Sequence, residues 1–375
     1  MKSIIRVSLV LALAAVLTTG LFANGLNLNG FGARAAAMGG AFVGLANDYT
    51  AVYWNPAGLA LIKQPTFGLT GDILMPKAKY ALGEYEMSTK SKMYPAGLLG
   101  FFTPIGENIV VGVGAYTLSG LGAAWENTGL EAALVSPYPP AAFTPTLEPS
   151  KWESFIGSIT LAPSIAVKLS DMIYLGATFN INYGFFKTDQ WGTYTVIMPP
   201  SPPAGAVAAA PMLFNFGQQT LNVKGWGFGA TFGLLVKPAD WISFGATFRT
   251  ESKLKLSGTT EIENVNLLGL ENESNTTMNV SSPMWLAGGV AVKPMDGLTL
   301  TFDAQYTNWG KLQEIAVEFE DPSWAAALGD EAALLLNWAN KTQLRFGAEY
   351  DLGAFAIRGG YYYDPAPAPD STLNI

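Results

Sequence analysis

Cysteine and histidine are both missing from this chain of 375 residues. Without cysteine there is no disulfide and no thiolate chemistry. Without histidine there is no Ser-His pair and no imidazole metal site, so an outer-membrane hydrolase is excluded and only lysine, carboxylate or tyrosine chemistry remains open to an enzyme. Charge is scarce as well, at 13% of residues against 49% hydrophobic, with a net charge of -8 and no basic patch of the kind nucleic acid requires. Past the N-terminal leader no apolar run reaches 18 residues, which excludes membrane-spanning helices.

The hydrophobicity is instead spread over alternate positions. From Leu298 to Thr307 the even residues are Leu298, Leu300, Phe302, Ala304 and Tyr306, and the odd ones are Thr299, Thr301, Asp303, Gln305 and Thr307. A strict period of two marks a strand between two different environments. A strand-turn-strand unit of this kind recurs at 98–118, 162–183, 233–251, 288–309 and 345–363. Strands are expected at 66–74, 93–102, 109–118, 152–168, 173–187, 220–236, 242–256, 277–292, 298–309, 342–352 and 355–364, eleven in number. Short turns (104–108, 169–172, 237–240, 293–297, 351–353) alternate with long connections (119–151, 188–219, 257–276, 311–341). The implied fold class is all-β, a transmembrane antiparallel β-barrel with lipid outside, water inside, and its long loops on the extracellular rim.

The ends read differently. Met1-Lys2-Ser3-Ile4-Ile5-Arg6, the apolar stretch to Val16 and Leu21-Phe22-Ala23 form a secretory signal peptide over 1–23, and its loss takes the net charge to about -10. Residues 24–64 lack alternation, are rich in small residues, and suggest short helical turns forming a plug (hatch) inside a barrel of residues 65–375. Eleven strands is an odd number and the chain stops after a Pro-rich stretch, so a barrel truncated at its C-terminus is expected. Helix-like spacing appears at 323–338 and more weakly at 121–134, while 137–149 and 199–211 are Pro-rich loops. The run Gly225-Trp226-Gly227-Phe228-Gly229 signals packing or a bulge rather than a phosphate loop.

Candidate ligand-binding residues in the plug are Phe31, Met38, Phe42, Tyr53 and Trp54, which either hold a hydrophobic solute or pack the plug against the wall. Alternation turns Arg249, Arg345, Arg358, Asp303 and Glu349 inward, since Phe248, Leu344, Phe346, Ile357 and Phe302 must face lipid. With Arg34 in the plug, these charges either fix a ligand carboxylate or form an internal ion-pair network that includes Asp48. Trp324, Leu328, Leu335 and Trp338 line an outer capture groove or cap the barrel.

The run 32–61, with Arg34, Met38-Gly39-Gly40-Ala41, Asn47-Asp48 and Asn55-Pro56-Ala57-Gly58, resembles the start of the long-chain fatty acid transporter family of outer-membrane proteins, which includes a toluene-uptake branch; Arg358-Gly359-Gly360-Tyr361-Tyr362-Tyr363-Asp364 resembles one of its late strands. The resemblance implies a fourteen-stranded barrel in the outer membrane of a Gram-negative-type bacterium, with its lumen filled by a hatch. Ligand would pass from an outer groove to an inner site and leave sideways beside a kinked third strand, with Asn55, Pro56 and Ala57 near that opening. It implies a monomer in outer-membrane lipid that takes a fatty acid or hydrocarbon and uses no cofactor. A secretion or attachment scaffold and a general porin are the alternatives.

Overall fold

The computed structural model describes residues 25–28, 30–82, 85–125, 152–191, 194–197, 212–215, 217–328 and 333–369. The leader, both Pro-rich loops and most of 121–134 lie outside them. One antiparallel sheet dominates. Its strands are β1 (Thr66–Leu74), β2 (Tyr94–Ile105), β3 (Ile109–Ala124), β4 (Glu153–Lys168), β5 (Ile173–Trp191), β6 (Gln218–Ala239), β7 (Ile242–Arg249), β8 (Ser252–Ile262), β9 (Glu273–Ser282), β10 (Trp285–Met295), β11 (Leu298–Thr307), β12 (Val317–Phe319), β13 (Lys341–Asp351) and β14 (Ala356–Tyr363). Sequence neighbours pair along the path β1 to β7, then β10, β11, β13 and β14, while β8 pairs with both β6 and β9, and β9 with β12.

Burial runs opposite to that of a water-soluble protein. On β11, Thr299, Thr301, Asp303, Gln305 and Thr307 are buried, while Leu300, Phe302 and Tyr306 are exposed. Only a wall facing lipid outside and polar contacts inside makes that stable. On β6 the outward band runs Trp226, Phe228, Ala230, Phe232, Leu234 and Val236. At about 3.3 Å per residue and a tilt near 40° it is roughly 25 Å tall, the height of a bilayer core.

The spans 242–256 and 277–292, expected as single strands, are each broken. β7 and β8 lie in line along β6, with Arg249 opposite Thr231 and Lys255 opposite Trp226, so the β7–β8 side holds one extra residue, a bulge at 250–251. The break between β9 and β10 falls at Pro283, which has no N–H to give a ladder. Counting each broken pair once gives eleven long strands.

Three loop expectations need correction. Residues 257–262 and 273–276 belong to β8 and β9, where the hydroxyls of Thr260 and Thr276 meet at 2.7 Å across the pair. Residues 121–124 continue β3, because Gly120, Gly122 and Ala124 keep the period of two. Helix forms over Pro322–Leu328, but Leu334–Leu335 is extended and pairs with Glu314–Ile315.

Residues 25–64 lie against the inner faces of the wall as two short helices, α1 (Ala33–Ala37) and α2 (Ala51–Trp54), and a 3-10 turn over Pro56–Leu61. The segment approaches so closely because the wall is glycine where it docks. A Cβ on Gly176 would stand 2.2 Å from the Pro56 carbonyl carbon, one on Gly245 2.0 Å from the Val43 oxygen, and one on Gly360 2.0 Å from the Gly39 nitrogen. At this level the inner faces of the wall are covered by the N-terminal segment.

Gly176→Ala should push the 3-10 turn off β5 and lower stability by about 1–3 kcal/mol, as overpacking does. Gly359, beside which a Cβ meets nothing within 4 Å, should accept alanine without comparable loss. Detergent thermal unfolding of the two variants compares them, and equal stability would show that the close docking is unimportant.

Candidate functional site

Sequence dictates the local shape of the N-terminal segment. The Asp48 carboxylate accepts from the Thr50 N–H at 2.9 Å and from its hydroxyl at 2.5 Å, fixing the entry to α2. Asn55 follows in extended backbone. Its Oδ1 accepts from the Ala57 N–H at 3.2 Å, and its Nδ2 donates to the Val43 and Leu234 carbonyls at 3.0 Å each. Pro56 then starts the 3-10 turn, whose fixed φ suits it. The motif Asn55-Pro56-Ala57 thus joins two parts of the segment to β6, and packs on Gly176 of β5 and Gly233 of β6.

Phe31, Met38, Phe42, Tyr53 and Trp54 are all buried in one core with Leu98 and Phe102 of β2, Tyr116 of β3 and Leu235 of β6. Tyr53 meets Phe31, Trp54 and Tyr116 edge-on with centroids 5.0–5.4 Å apart, and the Trp54 indole donates to the Phe31 carbonyl at 3.0 Å. These contacts pack the five side chains against one another and against the wall.

The charged residues separate into three groups. Glu349 accepts from Arg34 Nε at 2.8 Å and Nη2 at 2.7 Å, and from Arg358 Nε at 2.6 Å; Arg34 also reaches Asn47 Oδ1 at 2.6 Å and lies 3.9 Å from Asp48. Such a forked pair fixes geometry as well as charge. Asp303 accepts from the Val43 N–H at 2.7 Å, and Arg345 lies over Trp54 while donating to the Gly40 carbonyl and to Gln343.

Arg249 differs. It is 3% exposed and boxed by Tyr53, Tyr116 and Trp285, with its Cζ 4.9–5.7 Å from the three ring centres. Its Nε donates to Thr231 Oγ1 at 3.1 Å and its Nη2 to the Tyr53 carbonyl at 3.2 Å, but Nη1 has no partner and no carboxylate lies in ion-pair range among the described residues. Cation–π contact compensates part of that burial.

Toward the long-loop rim the interior changes character. Phe186, Leu221, Val223, Leu254, Leu256, Met278, Val280 and Ile315 form an apolar inner face, while the alternate residues Lys253, Lys255, Glu273 and Asn275 are exposed outside. The wall here is apolar inside and polar outside, the reverse of the membrane band. Under it lies a narrow cleft whose walls include Leu26, Ile156, Leu254, Leu256, Val280 and Trp309, with Ser119 and Ser158 at its polar edge. Leu26 and Asn27 close the cleft from the N-terminal segment; Asn27 bridges to Ser119 and the Leu26 carbonyl accepts from the Gly120 N–H at 3.1 Å. They dock where β3, the third strand of the path, loses register with β4 between Thr117 and Ser119.

The outer-groove residues do not act together. Trp324 is buried with Ile262 and Val265 and donates to the Glu271 carbonyl at 2.9 Å, Leu328 ends the short helix over Pro322–Leu328, Leu335 is exposed, and Trp338 packs edge-on against Trp309 at 5.1 Å, beside Leu26. Extended backbone at 334–335 turns Leu334 and Leu336, not Leu335, onto the apolar inner face. That face is not legible in the strand alternation, because a single strand over 242–256 puts Leu254 and Leu256 on the lipid side with Phe248, and the bulge at 250–251 reverses the parity. Its signal was the run Lys253-Leu254-Lys255-Leu256, whose lysine side cannot face hydrocarbon.

Residues 14–375 match the family model described as outer membrane protein transport protein (OMPP1/FadL/TodX). The long-chain fatty acid transport protein of Escherichia coli O6:H1 is 23% identical over 410 residues, covering 100% of this chain and 84% of the relative. Among solved structures, a Pseudomonas aeruginosa FadL homologue superposes with a TM-score of 0.71 at 17% identity, covering 93% of this chain and 83% of its own. The Ralstonia pickettii toluene transporter TbuX gives 0.65 at 20%, covering 90% and 87%. These structures share the fold, and the family match spans nearly all of the sequence that builds it. With the fold shared and the family match covering nearly the whole sequence, the chain belongs to the outer membrane protein transport protein family (OMPP1/FadL/TodX).

Proposed function

We propose that the chain is a passive outer-membrane channel for a hydrophobic compound, a long-chain fatty acid or an aromatic hydrocarbon. The observation that carries this reading is the apolar inner face above the N-terminal segment, with its cleft between Leu26 and Leu254, Leu256 and Val280. A methylene leaving water for such a surface gains about 0.8 kcal/mol, so a long acyl chain binds without a dense set of polar contacts. The polar edge at Ser119 and Ser158 gives a head group somewhere to stay hydrated. No energy input is needed, and consumption of the compound inside the cell sets direction. The relatives whose names point the same way are a fatty acid transport protein and a toluene transporter.

Passage requires the N-terminal segment to yield. It is pinned by Arg34, Glu349 and Arg358 toward the short-turn rim and by backbone bonds at Val43, Tyr53 and Trp54 in the middle, and held more lightly at Leu26 and Asn27 beside the cleft. A ligand in the cleft therefore presses on the end with fewest restraints. A general porin is not favoured, because Phe31, Met38, Phe42 and Trp54 fill the lumen at mid-height.

In proteoliposomes, labelled oleate and toluene should enter while a small sugar does not; sugar flux without oleate or toluene entry would sink the hydrophobic-channel reading. Leu256→Asn should lower oleate affinity roughly tenfold, since an unpaired buried amide costs about 1–3 kcal/mol, and oleate titration by intrinsic tryptophan fluorescence measures it. Arg249 tests head-group chemistry. If its unpartnered Nη1 serves a carboxylate, Arg249→Met should weaken oleate more than toluene, and equal losses would leave Arg249 as a strut for Tyr53 and Trp285.

A further inference from the structure

The outer surface beside the aromatic edge of the lipid band holds a group of lysines that the transport reading does not use. Lys224 on β6 and Lys253 and Lys255 on β8 all point outward and are exposed. Lys255 stands opposite Trp226, and Lys224 opposite Ser257, so Lys224 and Lys255 are diagonal neighbours across one strand pair. Lys253 is the next outward residue on β8. On the far side, β9 places Ser281 beside Lys253 and Asn279 beside Lys255. None of the three lysines has an ion pair or side-chain hydrogen bond among the described residues, whereas nearby Lys187 is satisfied by Asp189 at 2.8 Å. Glu251, the acidic residue closest to them in sequence, makes no ion pair with them.

Their height is fixed by what lies next to them. Trp226, 56% exposed, packs on Tyr183 with centroids 4.8 Å apart, and Phe228 stacks on Phe179 one step further into the band. Aromatic rings of this kind sit at the level of lipid head groups. The rim is the extracellular one, since long connections lead from it and the tight turn at 240–241 closes β6 to β7 at the other. Lys255 is the diagonal neighbour of Lys224, about 7–8 Å away across the strand pair, and the next outward residue to Lys253 on its own strand, so each neighbouring pair of ammonium groups repels, on a chain whose net charge is negative. An anion shared among them removes that repulsion, and two neutral hydrogen-bonding side chains, Asn279 and Ser281, stand ready to meet its other oxygens.

We propose that Lys224, Lys253 and Lys255, with Asn279 and Ser281, bind the phosphorylated head group of an anionic lipid in the outer leaflet, whose acyl chains lie along Trp226, Phe228 and Phe179. The occupant is a lipid and not free phosphate, because the cationic patch continues directly into the apolar band. Binding there fixes the vertical position of the β6–β8–β9 wall, whose inner side is the apolar face above the cleft.

The test uses the full-length protein in neutral detergent, with diphosphorylated lipid A as probe and its dephosphorylated form and phosphatidylcholine as controls. Diphosphorylated lipid A should bind in preference to both. Replacing all three residues by glutamine (K224Q/K253Q/K255Q) should weaken it on the order of a hundredfold, about fivefold per lysine near a charged surface. The double variant K237Q/K293Q, on the opposite rim, should bind as the unaltered protein does. Equal binding by the triple variant, equal binding of the dephosphorylated lipid, or full displacement by inorganic phosphate at matched concentration would each overturn the proposal. Should the triple variant fail to fold, salt decides on the unaltered protein: binding must fall steeply between about 50 and about 500 mM NaCl, as screening of exposed charge demands, and salt-independent binding would overturn it.

Discussion

Irregular backbone inside a membrane barrel must find hydrogen-bond partners for its N–H and C=O groups, and every other feature of this molecule follows from how the wall supplies them. The inward polar residues are the partners. Asp303 accepts from the Val43 N–H, Ser243 donates to the Gly44 carbonyl at 2.6 Å, Thr247 to the Trp54 carbonyl at 2.9 Å, and Arg249 to the Tyr53 carbonyl. Asn55 returns the arrangement by donating to a wall carbonyl, that of Leu234. The docking glycines bring the two backbones close enough for these short side chains to reach. Polar interior and glycine-lined wall are one device, and neither holds the segment without the other.

That device stops where the need for it stops. Above the breaks at 250–251 and 283–284 the inner face becomes Leu254, Leu256, Met278 and Val280, and what packs on it from the 311–341 connection is apolar, Ile315, Leu334 and Leu336. The outer face turns polar over the same residues because the wall has left the bilayer. A single strand therefore changes polarity on both sides along its length, and the bulge at 250–251 is where the change occurs on β7 and β8. Glycines at 225, 227 and 229 permit it: a Cβ on Gly225 would stand 1.8 Å from the Lys255 oxygen.

The membrane band was legible because its alternation is unambiguous: Leu298 to Thr307 specifies inside and outside residue by residue, and Arg249, Asp303, Arg345 and Glu349 could be turned inward from it alone. The resemblance carried by Gly39-Gly40 and Asn55-Pro56-Ala57 identified the segment that fills the lumen, but spacing could not say that Asn55 spans from Val43 to Leu234, since those contacts cross 12 and 179 residues of chain. The outer wall was obscured by an assumption. Reading polar-rich 257–276 as loop took lipid to be the only possible exterior, whereas Thr259 and Glu261 alternate with Thr260 and Ile262 as they should in a strand whose exterior is water. Trp324 and Trp338 lie in separate clusters because helical spacing holds only over Pro322–Leu328, while Leu334–Leu335 pairs with Glu314–Ile315.

The distribution of restraints gives the interior a direction. Ion pairs gather toward the short-turn rim, where Glu349 accepts from two arginines, and they are slow to yield because parting them strands a partly buried carboxylate. In the middle the bonds of Asn55, Ser243 and Thr247 are neutral, each worth about 0.5–1.5 kcal/mol net, while Asp303, Arg345 and Arg249 bring charged groups to the segment's backbone, Arg249 without a carboxylate in ion-pair range among the described residues. At the cleft, among the described residues, Leu26 and Asn27 are held by the bridge to Ser119, the Gly120 N–H on the Leu26 carbonyl, and contact with Trp309 and Trp338. On the function proposed above, a hydrophobic solute that competes with Leu26 for Trp309 would act where the described restraints are fewest, with the charged anchor at the other end of the segment. The same gradient explains why an apolar inner face above the segment is compatible with a polar one around it: the first has to accept a solute, and the second has to keep hold of a chain.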